Sequence, residues 1–371
     1  MMVQMAANAE LIVDLDQYRE NLTVLRSLAP TALQLAVVKA NAYGHGMLPV
    51  ARAARDVADW LGVATGDEAL ELRAGGDSGP LLCWLAAPGA PFAQLIAADV
   101  EVTASAVSQL EEIAAAGRAK VQLKVDTGLS RGGARGHDWD ELVQAAARLQ
   151  RTGRIEVTGI WSHFACADEP ANSANEAQEA AFRQAITQLE AAGIEPGIRH
   201  LANSAATVTR PSAHFDLVRV GIASYGISPS PTIQVPGVRP VLTAKAKLAQ
   251  VKRIEAGTGV SYGYRWIADH ETTVGLVPVG YGDGIFRTAS PGAEVGFNSA
   301  RIPVRGTICM DQFVVELGEY SAKPGDMVTL FGPGDDGEPT AQDWADAAGT
   351  IAYEIVTRLS GRWTRTYLGT R

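Results

Sequence analysis

The stretch Leu35-Ala36-Val37-Val38-Lys39-Ala40-Asn41-Ala42-Tyr43-Gly44-His45-Gly46 sets four aliphatic residues directly before a lysine and a polar, glycine-bearing segment. A short apolar run bounded by turn residues reads as a strand buried on both faces, of the kind parallel sheets contain. Lys39 then stands where that strand stops and a loop begins. An ammonium packed among valines is costly to desolvate, so such an amine tends to lose its proton or to form a covalent bond with a carbonyl. A lysine that snorkels out of a strand end is the competing reading, and these residues alone do not separate the two.

Working outward, runs of the same kind recur at 61–64, 81–85, 101–104, 121–125, 157–161, 198–201 and 217–220, which with 35–38 makes eight. Longer segments with helical periodicity separate them. Thr65-Gly66-Asp67-Glu68 has capping-box spacing ahead of one such segment, and 177–192 is an alanine-rich helical body. Eight strand–helix alternations predict an α/β fold, an N-terminal (β/α)8 TIM-like barrel with a parallel sheet.

Beyond 229–240, where proline accumulates, the texture changes to short β-type runs between glycine turns. Strands are predicted at 244–254, 273–279, 301–308, 313–317, 327–330 and 364–368, with one helix over 341–359. The run Glu10-Leu11-Ile12-Val13-Asp14-Leu15 precedes the barrel and is predicted to pair with this C-terminal, mainly-β domain. The domain limits read as 12–238 for the barrel and 239–371, with a strand over 1–11, for the second domain.

The 371 residues carry a net charge of −9, with 47% hydrophobic and 20% charged residues. An acidic balance argues against nucleic acid or an anionic membrane as partner and leaves small molecules or protein. Cys83, Cys166 and Cys309 are odd in number, far apart and without metal-ligand spacing, so reduced thiols and no metal are expected. No basic region followed by an apolar stretch opens the sequence, which reads as unprocessed and cytoplasmic.

In barrels of this kind the site lies at the C-terminal ends of the strands, with phosphate often held after strands seven and eight. Here those places carry His200-Leu201-Ala202-Asn203-Ser204-Ala205-Ala206 and Arg219-Val220-Gly221-Ile222-Ala223. Asn203 and Ser204 can cap a helix whose first amides face an anion, and Gly221 allows close backbone approach. An ordinary cap and a tight turn are the plainer readings. Lys124-Val125-Asp126-Thr127-Gly128-Leu129-Ser130-Arg131 follows the fifth strand and Ser162-His163-Phe164 the sixth. His163 alone reads more readily as a core histidine, yet with Lys39, Arg131, Asn203 and Arg219 also after strand ends, the concentration favours a site.

The stretch 36–46 resembles the pyridoxal-phosphate signature of bacterial alanine racemases. The resemblance continues through 124–131, 200–206, 219–226, Val260-Ser261-Tyr262-Gly263, Val279-Gly280-Tyr281-Gly282-Asp283-Gly284, Cys309-Met310-Asp311 and Thr350-Ile351-Ala352-Tyr353-Glu354, nearly the whole chain. It implies that Lys39 binds pyridoxal 5'-phosphate covalently, and that Tyr43, Ser204, Tyr353 and the backbone of Gly221 and Ile222 hold its phosphate. His163 and Asn203 would adjoin the cofactor, with His200 supporting. Arg219 would face the pyridine nitrogen; an always-protonated guanidinium leaves that nitrogen uncharged, a weaker electron sink that favours racemisation over transamination.

Racemisation needs a base on each face of the substrate Cα. By the resemblance these are Lys39 and Tyr262, the latter contributed by the second subunit of a homodimer with shared active sites. Arg131 and Met310 would position the substrate carboxylate, Tyr281 and Asp311 would line the entrance, and Lys124 occupies a position often carbamylated. The implied activity is interconversion of L- and D-alanine, supplying D-alanine for peptidoglycan. The chain departs from the family in Gly132-Gly133, where one glycine is usual, which implies looser support behind Arg131. Rival readings are a serine or broad-specificity amino-acid racemase, and a non-catalytic pyridoxal-phosphate-binding barrel protein, against which the C-terminal domain argues.

Overall fold

The structure, a computed structural model, describes residues 8–370. The beginning of the predicted strand over 1–11, the chain's start and the final arginine lie outside the described residues. Two compact units emerge. One comprises Tyr18–Ala42 and Met47–Val238; the other takes the chain up to Gln17, Tyr43–Gly46 and everything from Arg239 on. The second unit therefore claims four residues from within the barrel's own sequence. It also claims β1 (Ala9–Asp14).

The first unit contains eight parallel strands: β2 (Leu33–Val37), β3 (Trp60–Val63), β4 (Leu81–Cys83), β5 (Glu101–Ala104), β6 (Ala119–Lys124), β7 (Ile155–Trp161), β8 (Ile198–His200) and β9 (Leu217–Val220). Their order, β8-β7-β6-β5-β4-β3-β2-β9, is that of a rolled sheet with helices between the strands. Between β8 and β9 two backbone bonds bridge the seam, Asp216 N–H to Arg199 O and Arg219 N–H to Ala202 O, each 3.0 Å. The Arg199 guanidinium grips the Asp216 carboxylate at 2.6 and 2.8 Å beside them. All eight strands lie where the apolar runs predict them.

Room inside the barrel is made by glycine. A Cβ on Gly62 would fall 2.5 Å from Leu35 and 2.6 Å from Trp84, so the absent side chain is what lets the indole pack there. Thr65 caps the helix Gly66–Ala74 through the predicted capping box with Glu68.

The second unit is a nine-stranded sheet with one small ribbon. Its strands are β1, β10 (Leu242–Lys247), β11 (Gln250–Ile254), β14 (Thr272–Val277), β15 (Glu294–Phe297), β16 (Ala300–Arg305), β17 (Phe313–Gly318), β18 (Met327–Phe331) and β19 (Thr364–Leu368); β12 (Gly259–Val260) and β13 (Trp266–Ile267) form the ribbon. β1 pairs antiparallel with β10 and parallel with β19.

Three expectations need correction here. The run 244–254 is two strands, because at Leu248-Ala249 the chain changes partners: Leu248 N–H donates to Asp326 O and Ala249 N–H to Leu276 O. No glycine or proline marks that corner. The helix over 341–359 is two helices, Ala341–Ala348 and Ala352–Thr357, because Gly349 adopts φ 71° and caps the first. β15 was absent from the reading; it pairs with β16 across a turn whose Asn298 and Ser299 both have positive φ. Among the described residues no helix is long and apolar enough to cross a membrane.

Candidate active site

At the C-terminal end of β2 the backbone reverses hand. Ala40, Asn41, Ala42 and Tyr43 all have φ between 51° and 54°, a left-handed turn of four non-glycine residues directly after Lys39. Each such residue costs roughly 1–2 kcal/mol, so the turn persists only because it is held. Ala42 N–H donates to Val38 O at 2.9 Å, and Met47 N–H donates to the Asn41 side chain at 2.9 Å. Ala40 N–H donates to Glu68 Oε1 at 2.6 Å, while Glu68 Oε2 accepts from Ala64 and Thr65. One carboxylate thus ties the turn to the cap of the neighbouring helix.

The turn leaves Lys39 half-buried with Nζ 5.9 Å from the centroid of the Trp84 ring. Burial, and then the charge of Arg131, hold its pKa below the ordinary lysine value, against an opposing pull from Glu68. The amine is shifted toward the neutral, nucleophilic form.

Arg219, in β9, is 5% exposed and has no carboxylate among its hydrogen-bond partners. Its Nη1 faces His200 Nδ1 at 3.1 Å; its Nη2 contacts Ser162 O at 2.8 Å, Leu201 O at 3.1 Å and His163 Nδ1 at 3.1 Å. Burial lowers its pKa to about 9, which leaves it protonated at neutral pH. Both histidines are pushed well below their usual value, by burial first and then by Arg219; for His163 the charges of Arg131, Lys124 and Lys39 add to this. They are neutral acceptors for the guanidinium.

Trp161 organises the cations. The Arg219 guanidinium lies 5.0 Å from its ring centroid and Lys124 Nζ 4.5 Å, while His200 stacks on it at 5.8 Å and 13°. Burial, Arg219 and Arg131 lower the Lys124 pKa to about 8. Arg131 is exposed and follows Ser130 at φ 56°. The glycine pair behind it does not loosen the loop as expected. A Cβ on Gly133 would fall 2.7 Å from Asp126 N, the bridge between Val125 and Ala134 pins the segment, and Asp126 Oδ1 accepts from Gly128 and Ser130 N–H.

Asn203 caps the helix Ser204–Thr209 through Ala206 N–H at 3.0 Å. Ser204 Oγ accepts from Gly221 N–H at 2.8 Å and Ala223 N–H at 3.4 Å, so its own proton is left to give outward. Ile222 opens the next turn, where a backbone N–H has no acceptor within the helix. Lys39, Lys124, Arg131, His163, His200, Asn203, Ser204, Arg219, Gly221 and Ile222 all belong to the barrel unit.

The other site residues belong to the β unit and form two groups. The Tyr43 and Tyr353 rings lie 6.4 Å apart. Tyr262, Tyr281, Met310 and Asp311 line a cavity of about 680 Å³. Tyr262 is 76% exposed and Met310 54%. Asp283, fully buried, anchors this rim: burial would raise its pKa, but Arg362 and the backbone N–H groups of Gly280 and Arg362 bring it below the usual value. Arg362 reaches Asp311 as well, at 2.9 Å. Among the described residues no group of three or more His, Cys, Asp or Glu is placed to hold a metal.

Sequence reasoning noted Glu68 only as a helix cap and passed over Trp84, Trp161 and Arg362. The spacing Thr65-x-x-Glu68 was visible; that the same carboxylate reaches Ala40 was not.

Residues 13–229 match the family model for the alanine racemase N-terminal domain and residues 241–367 that for the C-terminal domain. The chain is 50% identical to the alanine racemase of Thermobifida fusca over 98% of its length and 99% of the relative's, and 53% identical to that of Frankia casuarinae over 96% and 95%. The crystal structure of alanine racemase from D-cycloserine producing Streptomyces lavendulae superimposes with a TM-score of 0.97 at 49% identity, covering 99% of both chains. Over both of its units, this chain belongs to the alanine racemase family, a family of amino-acid racemases.

Proposed function

We propose that the protein interconverts L- and D-alanine with pyridoxal 5'-phosphate, using Lys39 and the Tyr262 of a second subunit as its two bases. The observation that carries this reading is the co-location, at the C-terminal ends of the barrel strands, of an amine with a lowered pKa and a buried arginine that has only neutral acceptors. The cofactor fits the donor set. Ser204 retains its hydroxyl proton, Ile222 opens a turn in which its N–H has no acceptor, and Arg219 Nε–H takes no part in the four contacts that fix its Nη atoms; Gly221 N–H, expected on the phosphate, is given to Ser204 Oγ instead and supports that hydroxyl. Ser204, Ile222, Tyr43 and Tyr353 would hold the phosphate dianion, with His163 and Asn203 beside the cofactor and Arg219 at the ring nitrogen.

When bound, the cofactor supplies a carbonyl for attachment at Lys39 and an electron-withdrawing ring that acidifies the substrate Cα–H. The chain's residues do the rest. Lys39 Nζ, its pKa held below the ordinary lysine value by burial, takes or returns the proton on one face of Cα. Tyr262 Oη does so on the other. Arg131 and Met310 orient the substrate carboxylate, with Tyr281 and Asp311 at the mouth and His200 bracing Arg219. Lys124, at a pKa of about 8, is neutral in roughly a tenth of molecules at pH 7, so its amine can take up carbon dioxide and become an anion that holds Arg131.

The exposure of Tyr262, Tyr264 at 68% and Met310 supports a homodimer in which a second copy covers this surface. A cytoplasmic role supplying D-alanine for peptidoglycan is consistent with the reading. The test is to add L-alanine in deuterated water to the cofactor-loaded protein and separate enantiomers over time. D-alanine deuterated at Cα is expected; a visible cofactor band without turnover would refute the activity and leave only binding.

A further inference from the structure

Arg219 has no anion beside it, yet a chain of buried polar groups runs from it across the barrel to one. His200 Nε2 lies 2.6 Å from Gln122 Oε1, and Gln122 Nε2 donates to Glu101 Oε2 at 2.8 Å. Thr158 Oγ1 donates to the same Glu101 oxygen at 2.7 Å. The residues come from β9, β8, β6, β5 and β7, so every link spans strands.

The direction of this chain is fixed by elementary donor counting. A guanidinium can only donate, so His200 Nδ1 must accept from Arg219. A neutral imidazole then carries its proton on Nε2 and gives it to Gln122 Oε1. The amide's N–H2 is left for Glu101. Turning the amide over would demand two lone pairs of a neutral ring and set an amide oxygen against a carboxylate, so only one arrangement satisfies all four groups. Every donor points away from Arg219 and the series ends on the acid, the arrangement in which successive hydrogen bonds polarise one another.

Local backbone features make room for the middle member. The register of β6 on β7 shifts between Val121 and Gln122, where Thr158 of β7 is the extra residue, so that Gly159 stands opposite the buried Gln122. Opposite it, a Cβ on Gly159 would fall 3.1 Å from Gln122 Cδ. Burial raises the Glu101 pKa, while Thr158 and Gln122 oppose the rise.

We propose that Glu101 and Gln122 are positioning residues: they lock His200 as its Nε2–H tautomer so that its Nδ1 lone pair braces Arg219, with the Glu101 carboxylate as the remote counter-charge of that buried arginine. This rests on the assignment of Arg219 to the ring nitrogen only for its catalytic consequence. The tautomer and the counter-charge stand on the barrel alone.

The test is nitrogen-15 and proton NMR of the histidine rings in the full-length protein, before and after loading with pyridoxal 5'-phosphate. His200 is expected as the Nε2–H tautomer with a downfield Nε2 proton. Glu101→Gln should move that proton upfield. Thr158→Val, which gives the carboxylate oxygen to Gln122 alone, should move it downfield; a general loosening would not reverse sign between the two variants. In the loaded enzyme Glu101→Gln should lower kcat about tenfold, the worth of one charge-assisted bond, with KM for alanine within twofold. An Nδ1–H or doubly protonated His200, or an Nε2 proton indifferent to both substitutions, would overturn the inference. A protein that does not racemise alanine but shows both shifts would refute the proposed function and leave the relay standing.

Discussion

Replacing Glu68 with alanine removes three hydrogen bonds at once, to Ala40, Ala64 and Thr65 N–H at 2.6, 2.8 and 3.1 Å. The amides of Ala40 and Thr65 are on exposed residues, where water substitutes for the lost oxygen, while Ala64 is half-buried. Of the three bonds only that to Ala40 breaks when the turn opens, and as a short bond to a charged acceptor it is worth about 1.5 kcal/mol. That loss falls on a turn already burdened with roughly 4–8 kcal/mol of left-handed backbone. The expected result is local opening rather than global unfolding, with amides 40–43 exchanging about tenfold faster with solvent deuterium. Hydrogen exchange read by mass spectrometry on peptides covering 38–47 would measure it, with Asp67→Ala, a neighbouring exposed carboxylate, as the control. A change below threefold in these amides, or an equal acceleration across the whole barrel, would refute the idea that Glu68 clamps the lysine-bearing turn.

The pKa of Lys124, near 8 when folded, makes stability depend on pH in a defined window. Between about 8 and 10.5 the unfolded chain holds a proton the folded chain lacks, so stability rises with pH there and not below. In carbonate-free buffer Lys124→Met should remove that share of the rise; parallel urea-unfolding curves for both proteins across the window would contradict it. Tyr262→Phe should slow Cα proton exchange of one alanine enantiomer far more than the other, measured by deuterium incorporation, and equal losses would sink the two-base assignment. Asp283→Asn weakens a fully buried carboxylate that binds Arg362 Nε and Nη2 at 2.7 and 2.6 Å; about 2–3 kcal/mol should be lost in urea unfolding, and an unchanged midpoint would count against it as the anchor of the rim.

The barrel was legible because most of its strands hold a short, largely buried apolar run, as in Leu33–Val37, Trp60–Val63 and Leu81–Cys83, at regular intervals between helical segments. The β unit was less so, for local reasons. β15 is short, holds Gly296 where a Cβ would strike Glu338 at 2.7 Å, and ends in an Asn298-Ser299 turn rather than the Asn-Gly that signals a hairpin. At Leu248-Ala249 the chain changes pairing partners while its pattern continues, so nothing local records the corner. In the site, Lys39, His163 and Asn203 were visible by their position after strand ends; Arg219, read with them, lies inside β9 instead. Glu101 and Gln122 were not, since a glutamate opening a strand and a glutamine within one look like solvated residues until the partners from neighbouring strands, His200 and Thr158, are in place.

Tyr43–Gly46, lying within the barrel's sequence, is built into the β unit: Gly44 O accepts from Arg365, and side chains on Gly44 or Gly46 would collide with Val356 O or Tyr367 Oη. This has an evolutionary consequence. No single cut in the gene separates the units, because any fragment carrying Lys39 and the rest of the barrel also carries four residues whose backbone is shaped to another unit's wall. Recombination that swaps the C-terminal half between relatives must therefore preserve the fit of 44 and 46 against 356, 365 and 367, and these positions are expected to be inherited as a set rather than exchanged as a module.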